Sequence, residues 1–161
     1  MEKKVRFDTY QKMLQHALEN CSGDSTLQDP RLIHPVELAY IGDAVFSLYV
    51  RNRLLPVSHH VQVLHNLAAR MVSAVMQAKA MDILEPDLSE EEQQIARRGR
   101  NTKSTVPKSA TVREYRQGTA FEALLGYLYL TKQEERLAEI MDRSFVLIAD
   151  RMLVERGANT K

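Results

Sequence analysis

The chain has a single cysteine, Cys21. That excludes an intramolecular disulfide and any zinc site built on paired cysteines. Cys21 lies in a Ser/Gly/Asp stretch with no evident partner base, which gives no reason to read it as a nucleophile. No apolar run approaches the roughly 20 residues of a membrane helix. The start, Met1 to Asp8, mixes both signs of charge and does not fit a signal or transit peptide. The expectation is a cytoplasmic protein with no membrane partner. His16, His34, His59, His60 and His65 form no His-x-x-x-His pair, and no His-Glu-x-x-His motif or phosphate-binding glycine loop is present. His59 and His60 read as surface residues near a helix start. Internal repeats and long strand-like alternation are absent as well. Net charge is nearly absent: 22 Lys+Arg stand against 21 Asp+Glu in 161 residues, giving +1. That balance argues at first against a nucleic-acid partner.

What is there is a sharp segregation of charge. Residues 81–96 carry six acidic side chains and no basic one. Residues 97–116 carry seven basic side chains (Arg97, Arg98, Arg100, Lys103, Lys108, Arg113 and Arg116) against Glu114 alone. Such a basic segment is a plausible phosphate-contacting patch. The plainer reading is a solvated loop whose charges offset the acidic stretch before it.

An apolar fraction of 44% suits a folded core, and the length suits one domain. Periodicity predicts an all-α helical bundle. A first helix covers about residues 5–20, with Phe7, Tyr10, Leu14, Ala17 and Leu18 on one face. Gly23 and Asp29-Pro30 mark the loop after it. A second runs from about Pro35 to Leu55, and a third from Val61 to Met81. A fourth opens at Ser89, where Ser89 and Glu92 have capping-box spacing, and fades near Gly99. Residues 100–111 read as a loop. A fifth helix spans about Val112 to Leu130. Thr131 and Glu134 predict a second capping box, opening a sixth helix that ends near Gly157. Residues 158–161 read as a frayed tail.

Two of these helices each carry one acid among apolar residues. Val36, Leu38, Ala39, Tyr40, Ile41, Ala44, Val45, Phe46 and Leu48 cover nearly every face of the second, which predicts a central, buried helix. Asp43 sits inside it, with Ser47 and Arg51 at i+4 and i+8 on the same stripe. A buried carboxylate needs a cation, a donor or a solvated cleft. Arg51 or a neighbouring helix could neutralise it. In the fifth helix Glu122 is set among Ala120, Phe121, Ala123, Leu124 and Leu125, flanked by the small Thr119 and Gly126. It could likewise be a satisfied ion pair. Facing one another, the two acids could hold a hard divalent cation, which prefers oxygen ligands. Beside a basic loop, such a cation suits phosphodiester chemistry.

The run Leu38-Ala39-Tyr40-Ile41-Gly42-Asp43-Ala44-Val45 resembles the signature helix of ribonuclease III. The run Thr119-Ala120-Phe121-Glu122-Ala123-Leu124 resembles that family's second acidic motif. Val72-Ser73-Ala74, Arg98-Gly99-Arg100-Asn101-Thr102-Lys103-Ser104 and the continuation through Gly126-Tyr127-Leu128 extend the likeness over roughly residues 33–145. The match is to the Mini-ribonuclease III branch, catalytic domains that lack the double-stranded-RNA-binding domain. Where full-length ribonuclease III places a Glu and an Asp, this chain has Ala39 and Thr119, so Asp43 and Glu122 alone carry over. Glu37 lies roughly 120° around the helix from Asp43 and is no simple replacement.

The resemblance implies a ribonuclease III endonuclease-like bundle over residues 33–157, preceded by an N-terminal helical extension over 1–32 and acting as a homodimer. It implies Mg²⁺-dependent cleavage of double-stranded RNA, with Mn²⁺ as a substitute, leaving a 5′-phosphate and a 3′-hydroxyl. The branch is associated with maturation of large-subunit (23S) precursor ribosomal RNA. It leaves open the number of metals and whether a ribosomal protein presents the substrate. Asp43 and Glu122 are the expected catalytic and metal-binding residues. Arg98, Arg100, Asn101 and Lys103, with Lys108, Arg113 and Arg116 less directly, are expected to hold the RNA backbone. Ser47, Arg51 and Thr119 are expected to support the acids. The alternative is a non-catalytic RNA-binding or scaffold protein on the same fold.

Overall fold

The computed structural model describes residues 6–19, 29–103 and 105–158. The calls on Cys21, Gly23 and the last three residues lie outside that set. Among the described residues there are seven α-helices and no strand. They are α1 (Phe7–Glu19), α2 (Pro35–Leu54), α3 (Val61–Met71), α4 (Ala74–Leu84), α5 (Glu90–Arg100), α6 (Val112–Leu130) and α7 (Glu134–Ala158).

Helix α6 is the axis of the bundle. From Gln117 to Leu128 every residue except Thr119 and Glu122 is buried. Helices α2, α4, α5 and α7 all pack against it. Its start is set by a capping box: the Thr111 amide donates to Glu114 Oε2 at 3.0 Å, and the Glu114 amide to Thr111 Oγ1 at 3.1 Å. On α2, Leu38, Phe46 and Val50 are fully buried, and the Phe46 ring meets Phe121 edge-on at 5.0 Å.

Two glycines bring α2 and α6 into backbone contact. A Cβ on Gly42 would stand 1.7 Å from the Glu122 carbonyl oxygen, and one on Gly126 would stand 1.9 Å from that of Leu38. Each glycine costs a helix about 1 kcal/mol relative to alanine. Here it admits an approach that no other residue permits.

Three expectations are corrected. The long third helix is two. The Ser73 backbone is extended and its hydroxyl accepts from the Met76 amide, so the serine caps a new helix after α3 has closed. The Ser89–Glu92 box forms as expected, but the Thr131–Glu134 box does not. Thr131 closes α6 instead, its hydroxyl donating to the Tyr127 carbonyl at 2.7 Å. Lys132 then turns the chain with a φ of 57°. Helix α2 is not buried all round. Its second apolar face is open, with Tyr40 76% and Leu48 61% exposed. The apolar side of α1 is open among the described residues: Phe7, Leu14 and Leu18 are exposed and no residue of that helix is buried.

Candidate active site

The contact at Gly42 fixes where the two acids stand. Asp43 follows the glycine on α2, and Glu122 belongs to the residue whose carbonyl the glycine touches. Asp43 is exposed, which corrects the expectation of two buried carboxylates. The reason is the open face of α2. Glu122 is the inner member of the pair. Burial, and then the nearby Asp43 charge, push its carboxyl up to about 7, against the pull of a hydrogen bond from Gln77.

That bond comes from the buried side chain of Gln77 on α4, whose Nε2 donates to Glu122 Oε1 at 3.0 Å. Gln77 escaped the sequence reading. The available signal was a polar residue inside the apolar run Ala74–Leu84, the same signal that marks Asp43 and Glu122. Among the described residues no Lys, Arg or His forms an ion pair with either acid. Among the described residues, no third Asp, Glu, His or Cys joins them in a group able to hold a metal ion.

The supporting residues divide. Ser47 is half-buried one turn along α2 from Asp43. Arg51 does not pair with Asp43; its guanidinium lies 3.5 Å from His65 Nδ1. The Thr119 hydroxyl donates to the Tyr115 carbonyl at 3.0 Å, along its own helix.

The basic segment also divides. Arg98 donates to the carbonyls of Arg31 and Ile33 at 2.7 and 3.1 Å, pinning the turn before α2 to the end of α5. Arg100 donates to Gln117 Oε1 at 2.8 Å and pairs with Glu85. Arg113 pairs with Asp82 at 2.7 Å. The buried Gln117 amide ties both acids together, at 2.9 Å to Asp82 and 3.2 Å to Glu85. The plainer reading of the charge pattern therefore holds for Arg100 and Arg113. Asn101, Lys103, Lys108 and Arg116 are exposed. Arg98, Asn101 and Lys103 line one open groove with His34 and Glu37 at the start of α2.

The Ribonuclease III domain model matches residues 36–133, well over half of the chain. The chain belongs to the ribonuclease III family. Its class follows from that membership: a hydrolase, an endoribonuclease of the ribonuclease III type. Among its relatives, Mini-ribonuclease 3 of Symbiobacterium thermophilum is 46% identical over 133 residues, covering 81% of this chain and 98% of that one. Mini-ribonuclease 3 of Staphylococcus aureus is 38% identical over 125 residues, covering 75% and 93%. A crystal structure of a protein from Fusobacterium nucleatum aligns with a TM-score of 0.68 at 34% identity, covering 72% of this chain and 96% of that one. The helical ribonuclease III-like fold expected from the motifs is the fold observed.

Proposed function

We propose that this ribonuclease III-type enzyme cleaves double-stranded RNA with the aid of Mg²⁺ held by Asp43 and Glu122. The observation that carries the reading is the pair itself. Asp43 follows the glycine that rests on the Glu122 carbonyl, so two acids from different helices meet at one crossing, and among the described residues neither has a basic ion-pair partner. Carboxylate oxygens are the donor set of a hard divalent cation, and Mn²⁺ would substitute. When bound, such a cation supplies a water of lowered pKa and a positive charge beside the scissile phosphate. Glu122 anchors the inner side of the site, and the exposed Asp43 presents the other carboxylate to the RNA. Lys103, Lys108 and Asn101 are free to follow the phosphates, while Arg98 and Arg100 hold the base of their loop. A-form RNA is read through shape, phosphates and 2′-hydroxyls, which suits such a surface.

The proposed products are a 5′-phosphate and a 3′-hydroxyl, and the proposed substrate is the precursor of large-subunit ribosomal RNA in the cytoplasm. The proposed working form is a homodimer. Supporting that form is a groove of about 500 Å³ on the open face of α2, lined by Ile41, Val45, Leu48, Tyr129, Leu137 and Met141. An apolar surface of this kind is a place for a second protein surface.

The test is cleavage of a double-stranded RNA by wild type, Asp43→Asn and Glu122→Gln, with Mg²⁺ and with EDTA. Activity in wild type alone, abolished by EDTA, supports the reading. Wild-type turnover in either variant removes it. Mapping of ribosomal RNA ends in cells lacking the protein tests the substrate: unprocessed ends are expected.

A further inference from the structure

Four polar or charged side chains among the described residues are buried: Gln77, Glu92, Gln117 and Ser144. Three serve the scaffold. Glu92 holds Arg136, Gln117 bridges Arg100 to Asp82 and Glu85, and Ser144 donates to the Ile140 carbonyl at 2.6 Å. Gln77 instead spends its N–H on Glu122. Packing alone does not call for an amide there, since Met76, Ala78, Ala80 and Met81 around it on α4 are buried apolar residues. Its seat is narrow. A Cβ on Gly118 would lie 3.2 Å from Gln77 Oε1 and 3.4 Å from Ala74 Cα, so the glycine leaves room for the amide.

We infer that Gln77 is a positioning residue of the cation site, holding Oε1 of Glu122 so that the carboxylate is presented to the metal in one orientation. The inference rests on reading Asp43 and Glu122 as the site of a divalent cation. A neutral donor is the group this task requires. Lysine or arginine at that place would cancel the charge that attracts the cation. A carboxylate would add repulsion, and a hydrocarbon would leave a buried carboxylate without a donor. An amide fixes one oxygen without cancelling the carboxylate's charge, and leaves the other oxygen to the metal. Hydrogen bonds to ligating carboxylates act in this way, and their loss typically weakens metal binding 10- to 100-fold.

The experiment measures Mn²⁺ binding to the full chain without RNA, by the loss of the free-ion EPR signal. Wild type, Glu122→Gln and Gln77→Met are compared, because methionine keeps the length of the side chain and removes the donor. The expected result is binding by wild type, none by Glu122→Gln, and at least about tenfold weaker binding by Gln77→Met with an unchanged helical signal. Wild-type affinity in folded Gln77→Met, with binding lost in Glu122→Gln, overturns the inference and leaves the cation site standing. Unaltered binding in Glu122→Gln overturns both. Should Gln77→Met not fold, the side-chain amide signals of Gln77 are followed by NMR in wild type during Mg²⁺ titration. They are expected to shift in step with saturation, and signals that stay put overturn the inference.

Discussion

Two groups of acids in this molecule have opposite surroundings. Asp82 and Glu85, at the end of α4, are met by Arg113 and Arg100 and tied by the Gln117 amide. Among the described residues Asp43 and Glu122 have no basic partner, and Glu122 takes a hydrogen bond from one neutral amide. The first arrangement joins three helices and stabilises itself. The second carries a standing electrostatic cost that packing does not require, because an apolar residue would fit a helix such as α6 equally well. A fold that keeps such a cost keeps it for something outside the chain. Part of the near-zero net charge is pairing of the first kind, with Arg100 and Arg113 met by Glu85 and Asp82.

The comparison breaks most sharply at the uncompensated pair. Asp43→Asn and Glu122→Gln are expected to lower cleavage by on the order of 10³-fold or more. Circular dichroism should show helix content unchanged. A loss of fold instead of activity would place the pair with the scaffold acids.

The next effect comes from the contact that brings the pair together. Gly42→Ala forces a methyl against the Glu122 carbonyl, an overpacking cost of about 3 kcal/mol. In a domain of this size that lowers the thermal midpoint by about 10 °C, and cleavage should fall as the acids separate. Gly157→Ala, where the added methyl meets nothing within 4 Å, is the control: it should leave cleavage unchanged and should not lower the thermal midpoint.

The basic segment allows a finer division. Charge reversal at Lys103 and Lys108 together should weaken RNA binding and flatten its salt dependence by about 2 in the log–log slope. Arg100→Gln, which removes a scaffold partner, should cost about 1 kcal/mol of stability and leave the slope alone. Binding isotherms at several salt concentrations and thermal melts of each variant separate the two roles.

The smallest effect concerns Glu92, a third compensated acid. The Arg136 guanidinium, at 2.8 and 2.9 Å, holds its carboxyl below the usual range despite burial. A folded-state pKa lowered in this way contributes stability above the unfolded value near 4.5. That contribution fades as pH falls through the folded value. Melts from pH 7 down into the acid range should therefore show a loss of stability in wild type that is smaller in Glu92→Gln.

Much of this architecture is legible in the chain. Helices α2 and α6 announce themselves through Pro35 near one start and the apolar run around Glu122 at the other's centre. The Ser89–Glu92 box marks α5. The break at Ser73 is hidden because apolar periodicity continues across Val72, and a capping serine looks like a serine within a helix. Thr131 and Glu134 have the right spacing, yet the threonine hydroxyl is taken by the helix behind it. The exposure of Asp43 is not readable either. An apolar face looks the same whether it packs on its own chain or stays open. Gln77 carries the same signal as the two acids, a polar residue among apolar ones, but its part shows only once Glu122 stands beside it. Nor does spacing along the chain show that Arg98 and Arg100 are occupied. Their partners lie in the turn before α2, at Glu85 and at Gln117.

The α2–α6 crossing has a mechanical consequence. Gly42 rests on the carbonyl of Glu122, Gly126 rests on that of Leu38, and the Phe46 ring rests on Phe121. Leu38, Gly42 and Phe46 follow one another at four-residue spacing, so the helices meet along a seam of three successive turns of α2 and are stopped there at main-chain distance. The spacing between Asp43 and Glu122 is gauged by main chain against main chain, so side chains elsewhere in the core can change size without resetting it.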